Sequence, residues 1–362
     1  MAGVKGGVFI EKLGPFLKKK LEEAHKANNK SLAHSIESQY LVDPKEGAVS
    51  LEKNRRHYEA ETVPQFEGQP LKGLERLYRR TILIEPSTVC AAHCRWCLRG
   101  QYDILNLKVE ELELIARFIG SGERRDNVRE VLITGGDPFM VVDRLKTLID
   151  LIIQHAPQIK IIRIGTRIPT QDPQRINKEL IRAITPRNGV TVEMGTHINH
   201  AEELFPESRE ALKRIHEAGV KIYDQTVLLK GLNDEKTVLL ELLDELRYLN
   251  IECHYLFHCV PMAGMAHFRT SVDKGLKLIK QVVSSGENSG RAKPLYTAMT
   301  DIGKIAFYEG TIIERNQNQL LLQSEYSLEE RLKWNPDWAV PDTVKVDEKG
   351  NMRVWYLDTS DD

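Results

Sequence analysis

The sequence predicts an α/β fold: an incomplete (β/α)6 barrel of the TIM type, with a helical N-terminal extension and a small C-terminal extension. Three observations predict it. From residue 81 onward, short apolar runs alternate six times with longer amphipathic ones, the pattern of parallel strands joined by right-handed helical crossovers. Cysteine, Gly-Gly-Asp and histidine gather where those apolar runs stop, and a β/α barrel carries its reacting groups at the C-terminal ends of its strands. Finally, 362 residues with 41% hydrophobic content can bury one large core or two.

Taken in order, residues 1–75 form the extension. A short apolar run at 8–13 precedes a Lys/Glu-rich segment at 16–34 whose spacing suits one amphipathic helix. Pro44, Gly47, Pro64, Gly68 and Pro70 then punctuate the chain. The expected role of this part is a packing or oligomer surface, without chemistry. Residues 76–260 carry the barrel, with strands expected at 81–85, 130–134, 160–165, 190–194, 221–227 and 252–257, and helices at 109–119, 142–155, 176–184, 206–218 and 236–249. Residues 261–323 close it. In the tail, 324–362, a helical pattern at 325–333 precedes Trp334-Asn-Pro-Asp-Trp338, and a turn at 348–351 joins two short apolar runs into a hairpin.

Composition narrows the function classes. Fifty-one Lys and Arg against 52 Asp and Glu leave a formal net charge of -1, so neither nucleic acid nor an anionic membrane surface is an expected partner. No apolar run reaches the length of a membrane span and the N-terminus lacks a signal-peptide pattern, so a cytoplasmic location is expected. Five cysteines, three of them clustered, do not make a disulfide framework.

The clustered three are Cys90-Ala-Ala-His-Cys94-Arg-Trp-Cys97, directly after the first barrel strand. Three thiols on one tight loop suit three corners of an iron–sulfur cube and leave the fourth iron open to a small ligand. A zinc site that recruits His93 or a distant histidine is the alternative, and inert thiols the other. The Cys90, Cys94, Cys97 spacing resembles the signature of the radical S-adenosylmethionine (SAM) enzymes. That resemblance implies a [4Fe-4S] cluster on those three cysteines with SAM on the fourth iron. It also implies that Gly135, Gly136 and Asp137, after the second strand, hold SAM. After the fourth strand stand His197, Asn199 and His200, and inside the fifth stands Gln225. His197 and Gln225 are expected to hydrogen-bond cofactor or substrate, and Gln225 in mid-strand requires a wet lumen. Cys253 and Cys259 read as small buried apolar residues.

Four longer segments narrow the resemblance. Ile164-Gly-Thr-Arg-Ile-Pro169 with Pro173-Gln-Arg-Ile176, Thr196-His-Ile-Asn-His200, Asp224-Gln-Thr-Val-Leu-Leu-Lys-Gly-Leu-Asn-Asp234 and His267-Phe-Arg-Thr270 resemble the lysine 2,3-aminomutase family over about residues 75–323. The resemblance implies an isomerase that shifts an amino group between C2 and C3 of an amino acid. A 5′-deoxyadenosyl radical from SAM removes an unactivated hydrogen, and pyridoxal 5′-phosphate (PLP) supplies the π-system the nitrogen crosses. Lys304 falls where the family places its PLP lysine, Tyr78 and Arg80 near the PLP phosphate, and Arg99 at the substrate carboxylate. Leu77 and Thr81 occupy the places of the family's phosphate-binding arginines, so Arg76, Arg79 and Arg80 are the expected substitutes. Asp301 either orients the cofactor or pairs with Lys304. Val260 and Thr297 occupy the places of two aspartates that hold the distal ammonium of lysine, so the expected substrate is an amino acid other than free lysine. A reductant such as flavodoxin or ferredoxin is implied as partner, and a homo-oligomer is compatible with the extension. The cysteines that some members carry near the C-terminus for zinc are absent, so no structural zinc is expected. The alternatives are a PLP-independent radical SAM enzyme, a modifier of a lysine on a protein partner, and a non-catalytic iron–sulfur or zinc interaction module.

Overall fold

A computed structural model describes residues 4–5, 8–48, 63–99, 105–287 and 292–359. Residues 49–62 of the expected extension lie outside the described residues. Strands β1 (Leu74–Glu75), β2 (Thr81–Ser87), β3 (Glu130–Gly135), β4 (Ile161–Gly165), β5 (Thr191–Thr196), β6 (Lys221–Leu228), β7 (Glu252–His258), β8 (Leu295–Thr300) and β9 (Gly303–Ala306) form one sheet in simple order from β1 to β9. Strands β2 to β8 run parallel, and β1 and β9 close the two edges antiparallel. The six expected strands are all present, and β8 makes a seventh parallel one.

Period-two alternation decides what each strand does. Ile82, Ile84, Val131, Ile133, Ile162, Ile164, Val192 and Met194 are nearly or fully buried in the main core. They pack against the crossover helices, which include Val109–Ile119, Val142–His155, Lys178–Ile184, Pro206–Glu217 and Lys236–Tyr248. Each such side chain contributes about 1.5–3 kcal/mol by leaving water. Their alternate neighbours Thr81, Glu130 and Arg163 face the concave side, where they line a common cavity. This half-barrel is therefore dry outside and polar within.

The N-terminal segment is two helices, α1 (Pro15–Lys26) and α2 (Lys30–Tyr40), where one was expected. Asn28 adopts φ 52°, and the Asn29 side chain accepts from Leu32 N–H at 3.1 Å, so the pair of asparagines ends one helix and caps the next. Leu17, Ile36 and Tyr40 of these helices join Ala92, Cys94, Trp96, Phe205, Val227 and Phe257 in a second apolar cluster. The extension thus lies over the strand ends that carry the cysteine loop.

The C-terminal part builds a separate sheet from β10 (Ile312–Arg315), β11 (Gln319–Ser327), β12 (Val344–Val346) and β13 (Asn351–Leu357), ordered β10-β11-β13-β12. Strand β11 spans the expected join at 323/324. The helix expected from 325 begins later, at Leu328–Trp334, because β11 carries the backbone to Ser327, whose side chain caps that helix by accepting from Glu330 N–H. This tail connects both edges of the half-barrel. Tyr326 Oη donates to Lys304 O on β9 at 2.7 Å and Arg331 Nη2 to Ile302 O at 2.8 Å, while Arg76 Nη1 beyond β1 donates to Trp334 O at 2.8 Å. Among the described residues, no helix is long and apolar enough to cross a membrane.

Candidate active site

The cysteine loop leaves β2 and is held by the N-terminal helices. His93 N–H donates to Lys12 O at 2.9 Å, Arg95 N–H to Gln39 O at 2.8 Å, and the buried Arg95 guanidinium pairs with Glu46. Cys94 is buried, and Cys90 and Cys97 are half-buried. Burial pushes the Cys90 thiol up, with the negative groups Asp137, Cys97 and Cys94 adding to the effect. Burial also raises the Cys94 thiol, against the opposing charge and hydrogen bond of Arg167. Among the described residues no three His, Cys, Asp or Glu side chains converge on a single ion. A cube spreads its protein thiolates over separate irons. Three thiols on one loop, with a cation beside one of them, fit such a cube.

The segment after β3 packs against this loop. Gly135 has φ +116°, and a Cβ there would lie 2.5 Å from Ser87 O, while one on Gly136 would lie 2.5 Å from Val89 N. Glycine is required because two strand ends touch. Asp137 is buried, which pushes its carboxyl up to about 6. Its oxygens accept from Thr166 Oγ1 at 2.7 Å, Arg167 N–H at 2.8 Å and Phe139 N–H at 3.0 Å, so the side chain ties the ends of β3 and β4 together.

His197, beyond β5, turns Nδ1 to the Gln225 carbonyl. Burial, with the positive Arg167 and Lys304 nearby, brings it down to about 4, so its imidazole is neutral near pH 7. Its ring stands edge-on to Trp96 of the cysteine loop at 5.5 Å and 6.5 Å from Phe257 of β7. Gln225 is half-buried on β6, with its amide beside Gly195. Asn199 is fully buried and hydrogen-bonded to Gln39 and Val227, and His200 Nδ1 accepts from Glu202 N–H. Cys253 and Cys259 are buried, as expected.

Lys304 lies on β9. Its backbone N–H donates to Tyr78 Oη at 3.1 Å, and its carbonyl accepts from Tyr326. Gly303, at φ +117°, lets Tyr78 approach so closely that a Cβ would sit 3.1 Å from its hydroxyl. The Lys304 ammonium lies 4.7 Å from the centre of the Tyr255 ring and 5.3 Å from that of Phe257. Burial, then the Arg163 charge, lowers it to about 7, with Glu130 opposing. Asp301 does not neutralise it; that carboxylate accepts from Thr343 Oγ1 at 2.7 Å. Around the amine is a cavity of about 230 Å3 lined by Tyr78, Glu130, Arg163, Tyr255, Thr297 and Tyr326, among others. Trp96, His197, Phe257 and Lys304 thus form a continuous series of contacts from the cysteine loop to the amine.

The expected phosphate arginines stand elsewhere. Arg80 is exposed, Arg79 donates to Asn127, and Arg76 is tied to Glu123 and the Trp334 carbonyl. Arg163 is the guanidinium that lines the cavity, 2.8 Å from Glu130, with a buried Nε that has no hydrogen-bond partner. Arg99 lies between two carboxylates, Glu75 at 2.9 Å and Glu85. Thr297 lines the cavity, and Val260 packs at the rim of the second apolar cluster. Sequence reasoning missed Arg163, Glu130, Tyr255 and Tyr326. The available signal was polar and aromatic residues at alternate positions of otherwise apolar strands.

A family model described as the radical SAM superfamily matches residues 84–243. A protein of Aquifex aeolicus (strain VF5), named for L-lysine 2,3-aminomutase, is 31% identical over 314 residues, covering 81% of this chain and 82% of that protein. The L-lysine 2,3-aminomutase of Clostridium subterminale is 30% identical over 322 residues, covering 85% of this chain and 76% of its own. The glutamate 2,3-aminomutase of Clostridioides difficile (strain 630) is 31% identical over 261 residues, covering 70% of this chain and 60% of its own.

Proposed function

Because the chain belongs to the lysine 2,3-aminomutase family of the radical SAM superfamily, we propose that it is an isomerase moving an amino group between C2 and C3 of an amino acid other than free lysine. The observation that carries this reading is Lys304: a buried amine lowered to about 7, enclosed by aromatic rings and joined by ring contacts to the cysteine loop. Such an amine is nucleophilic near neutral pH, as carbonyl chemistry requires. When bound, the [4Fe-4S] cluster with SAM supplies a hydrogen-abstracting radical, and PLP supplies an electron-delocalising ring.

The chain's own residues divide the remaining work. Cys90, Cys94 and Cys97 would hold the cluster, and Gly135, Gly136, His197 and Gln225 would hold SAM beside it. Lys304 would hold PLP through its amine, with the Tyr255 and Phe257 rings beside that amine, and Arg163, whose Nε has no hydrogen-bond partner, would supply the cation for its phosphate in place of Arg80. Tyr78 and Tyr326 clamp the lysine's backbone so that the amine points into the cavity. Arg99 takes the substrate carboxylate by exchanging it for Glu75 or Glu85. Val260 and Thr297 give no carboxylate to a distal ammonium, which would be costly to bury unpaired.

The test is anaerobic reconstitution with iron, sulfide, SAM, PLP and a low-potential reductant. Expected are 5′-deoxyadenosine, and PLP that borohydride fixes to Lys304 in the wild type but not in Lys304→Ala. Efficient turnover of free lysine would overturn the substrate assignment. One observation favours a second reading: among the described residues that line the cavity, Arg163 is the one guanidinium, and it already faces the Glu130 carboxylate. Full cluster and 5′-deoxyadenosine without PLP uptake would select a PLP-independent radical SAM enzyme instead.

A further inference from the structure

Of the three cluster cysteines, Cys94 has a sulfur facing two side-chain donors. Arg167 Nη1 lies 2.8 Å from Cys94 Sγ, and Gln171 Nε2 lies 3.4 Å from it. Arg167 follows β4 and is 6% exposed, and every side of its guanidinium is engaged. Nε donates to His197 O at 2.8 Å, while Nη2 meets Glu203 and, at 3.2 Å, Gln39 Oε1. Its plane lies 4.9 Å from the centre of the Trp96 ring and 5.3 Å from that of Tyr40. Gln39 is fully buried on α2, and its amide oxygen also receives Trp96 Nε1 at 3.3 Å and Asn199 Nδ2 at 2.9 Å. One helix of the extension therefore fixes an arginine, and the arginine fixes a sulfur.

We propose that Arg167 is a positioning residue that sets the reduction potential of the cluster through its hydrogen bond to Cys94 Sγ, and that Gln39 of the N-terminal extension holds it in that orientation. The inference rests on the cluster reading above. The electron balance is simple: one electron passes from an external low-potential donor to the cluster, whose net charge becomes more negative by one. A cation and N–H donors at a ligand sulfur stabilise that reduced form, and hydrogen bonds to the sulfurs are among the factors that set such potentials. The ion pair with Glu203 moderates the charge and leaves the directional hydrogen bond as the stronger part.

The experiment is an EPR-monitored redox titration, with iron counts, on reconstituted wild type, Arg167→Gln, Arg167→Lys and Gln39→Leu. Arg167→Gln is expected to keep its iron and shift negative. At fixed potential its reduced-to-oxidised ratio should fall about tenfold, about 59 mV for a one-electron couple. Gln39→Leu, which leaves the guanidinium but frees its orientation, should shift the same way by less. Arg167→Lys should recover part of the shift. Full clusters with the wild-type midpoint in both Arg167→Gln and Gln39→Leu would overturn the inference. Loss of iron from both would equally overturn it, since the pair would then hold the loop and not tune it. A wild type that takes up no cube defeats the cluster reading itself, an outcome visible before any variant is compared.

Discussion

Lys304 shows how a single side chain acquires a chemistry its residue type lacks. In water its amine is charged up to about pH 10.4; between Tyr255 and Phe257, with Arg163 across the cavity, it is half neutral at about 7. Because the folded value is depressed, the unfolded chain binds more protons between about pH 7 and 10.5. Lys304's own contribution to stability should therefore rise with pH across that window by about 1.4 kcal/mol per unit, opposed in its upper part by the raised thiols of Cys90, Cys94 and Cys253. Lys304→Met should flatten the rise, read as the urea midpoint against pH; an identical slope in both proteins would show that the amine is charged when folded. The same shift predicts that covalent PLP uptake falls about tenfold per pH unit below about 7, where the amine is mostly protonated. At the cysteines, Cys94→Ala should abolish the full cube, and a variant that still bound about four irons per chain would refute the ligand set. The grouping of the three cysteines on one loop was legible because it is written in local spacing. Arg163, Glu130 and Tyr255 were not, because they come from three strands far apart in the chain and meet only when the sheet curls.

Between elements, the decisive contacts are backbone on backbone. Gly136 lies where β3 ends against the cysteine loop, with Thr88 and Val89 where a Cβ would go. Gly136→Ala must push that loop outward, at about 1–3 kcal/mol by the cost of overpacking, and should reduce iron retention more than its loss of thermal stability would suggest. Iron retained at the wild-type level would mean that the loop adjusts freely. The six central strands were legible because apolar alternation with amphipathic helices leaves few other folds. Strand β8, Leu-Tyr-Thr-Ala-Met-Thr, was not, because Thr297 on its cavity face and Thr300, whose hydroxyl donates to Gly303 O, break the apolar run. The tail was read as helix one turn too early for a similar reason: Gln323 to Ser327 alternate in no clear register, and they are strand only because Gln323 and Ser327 pair with β13 on either side of an irregularity. That pairing matters for the site, because it aims Tyr326 at the carbonyl of Lys304. Tyr326→Phe removes one hydrogen bond worth about 0.5–1.5 kcal/mol and should slow PLP attachment while leaving the cluster intact.

At the scale of the whole molecule, the two apolar clusters have separate tasks. The main one lies between the sheet and its outer helices, and the second joins α1 and α2 to the cysteine loop and the strand ends beside it. Sequence reading gave the extension a packing role and no chemistry. Its packing partner is the site itself, which composition and periodicity could not reveal because a helix face does not say what it covers. A separable consequence follows for the cluster. Ile36, 1% exposed in the second cluster, and Ile133, fully buried in the main one, are both large apolar residues whose truncation to alanine costs about 2–5 kcal/mol. If cluster protection followed global stability alone, Ile36→Ala and Ile133→Ala would lose iron at rates ordered by their urea midpoints. Because Ile36 lies over the cysteine loop, Ile36→Ala should bleach faster in air than Ile133→Ala at matched stability, with absorbance of the reconstituted protein followed over time. Equal bleaching at equal stability would reduce the extension to a scaffold; faster bleaching only in Ile36→Ala would make it the wall that keeps water and oxygen from the iron.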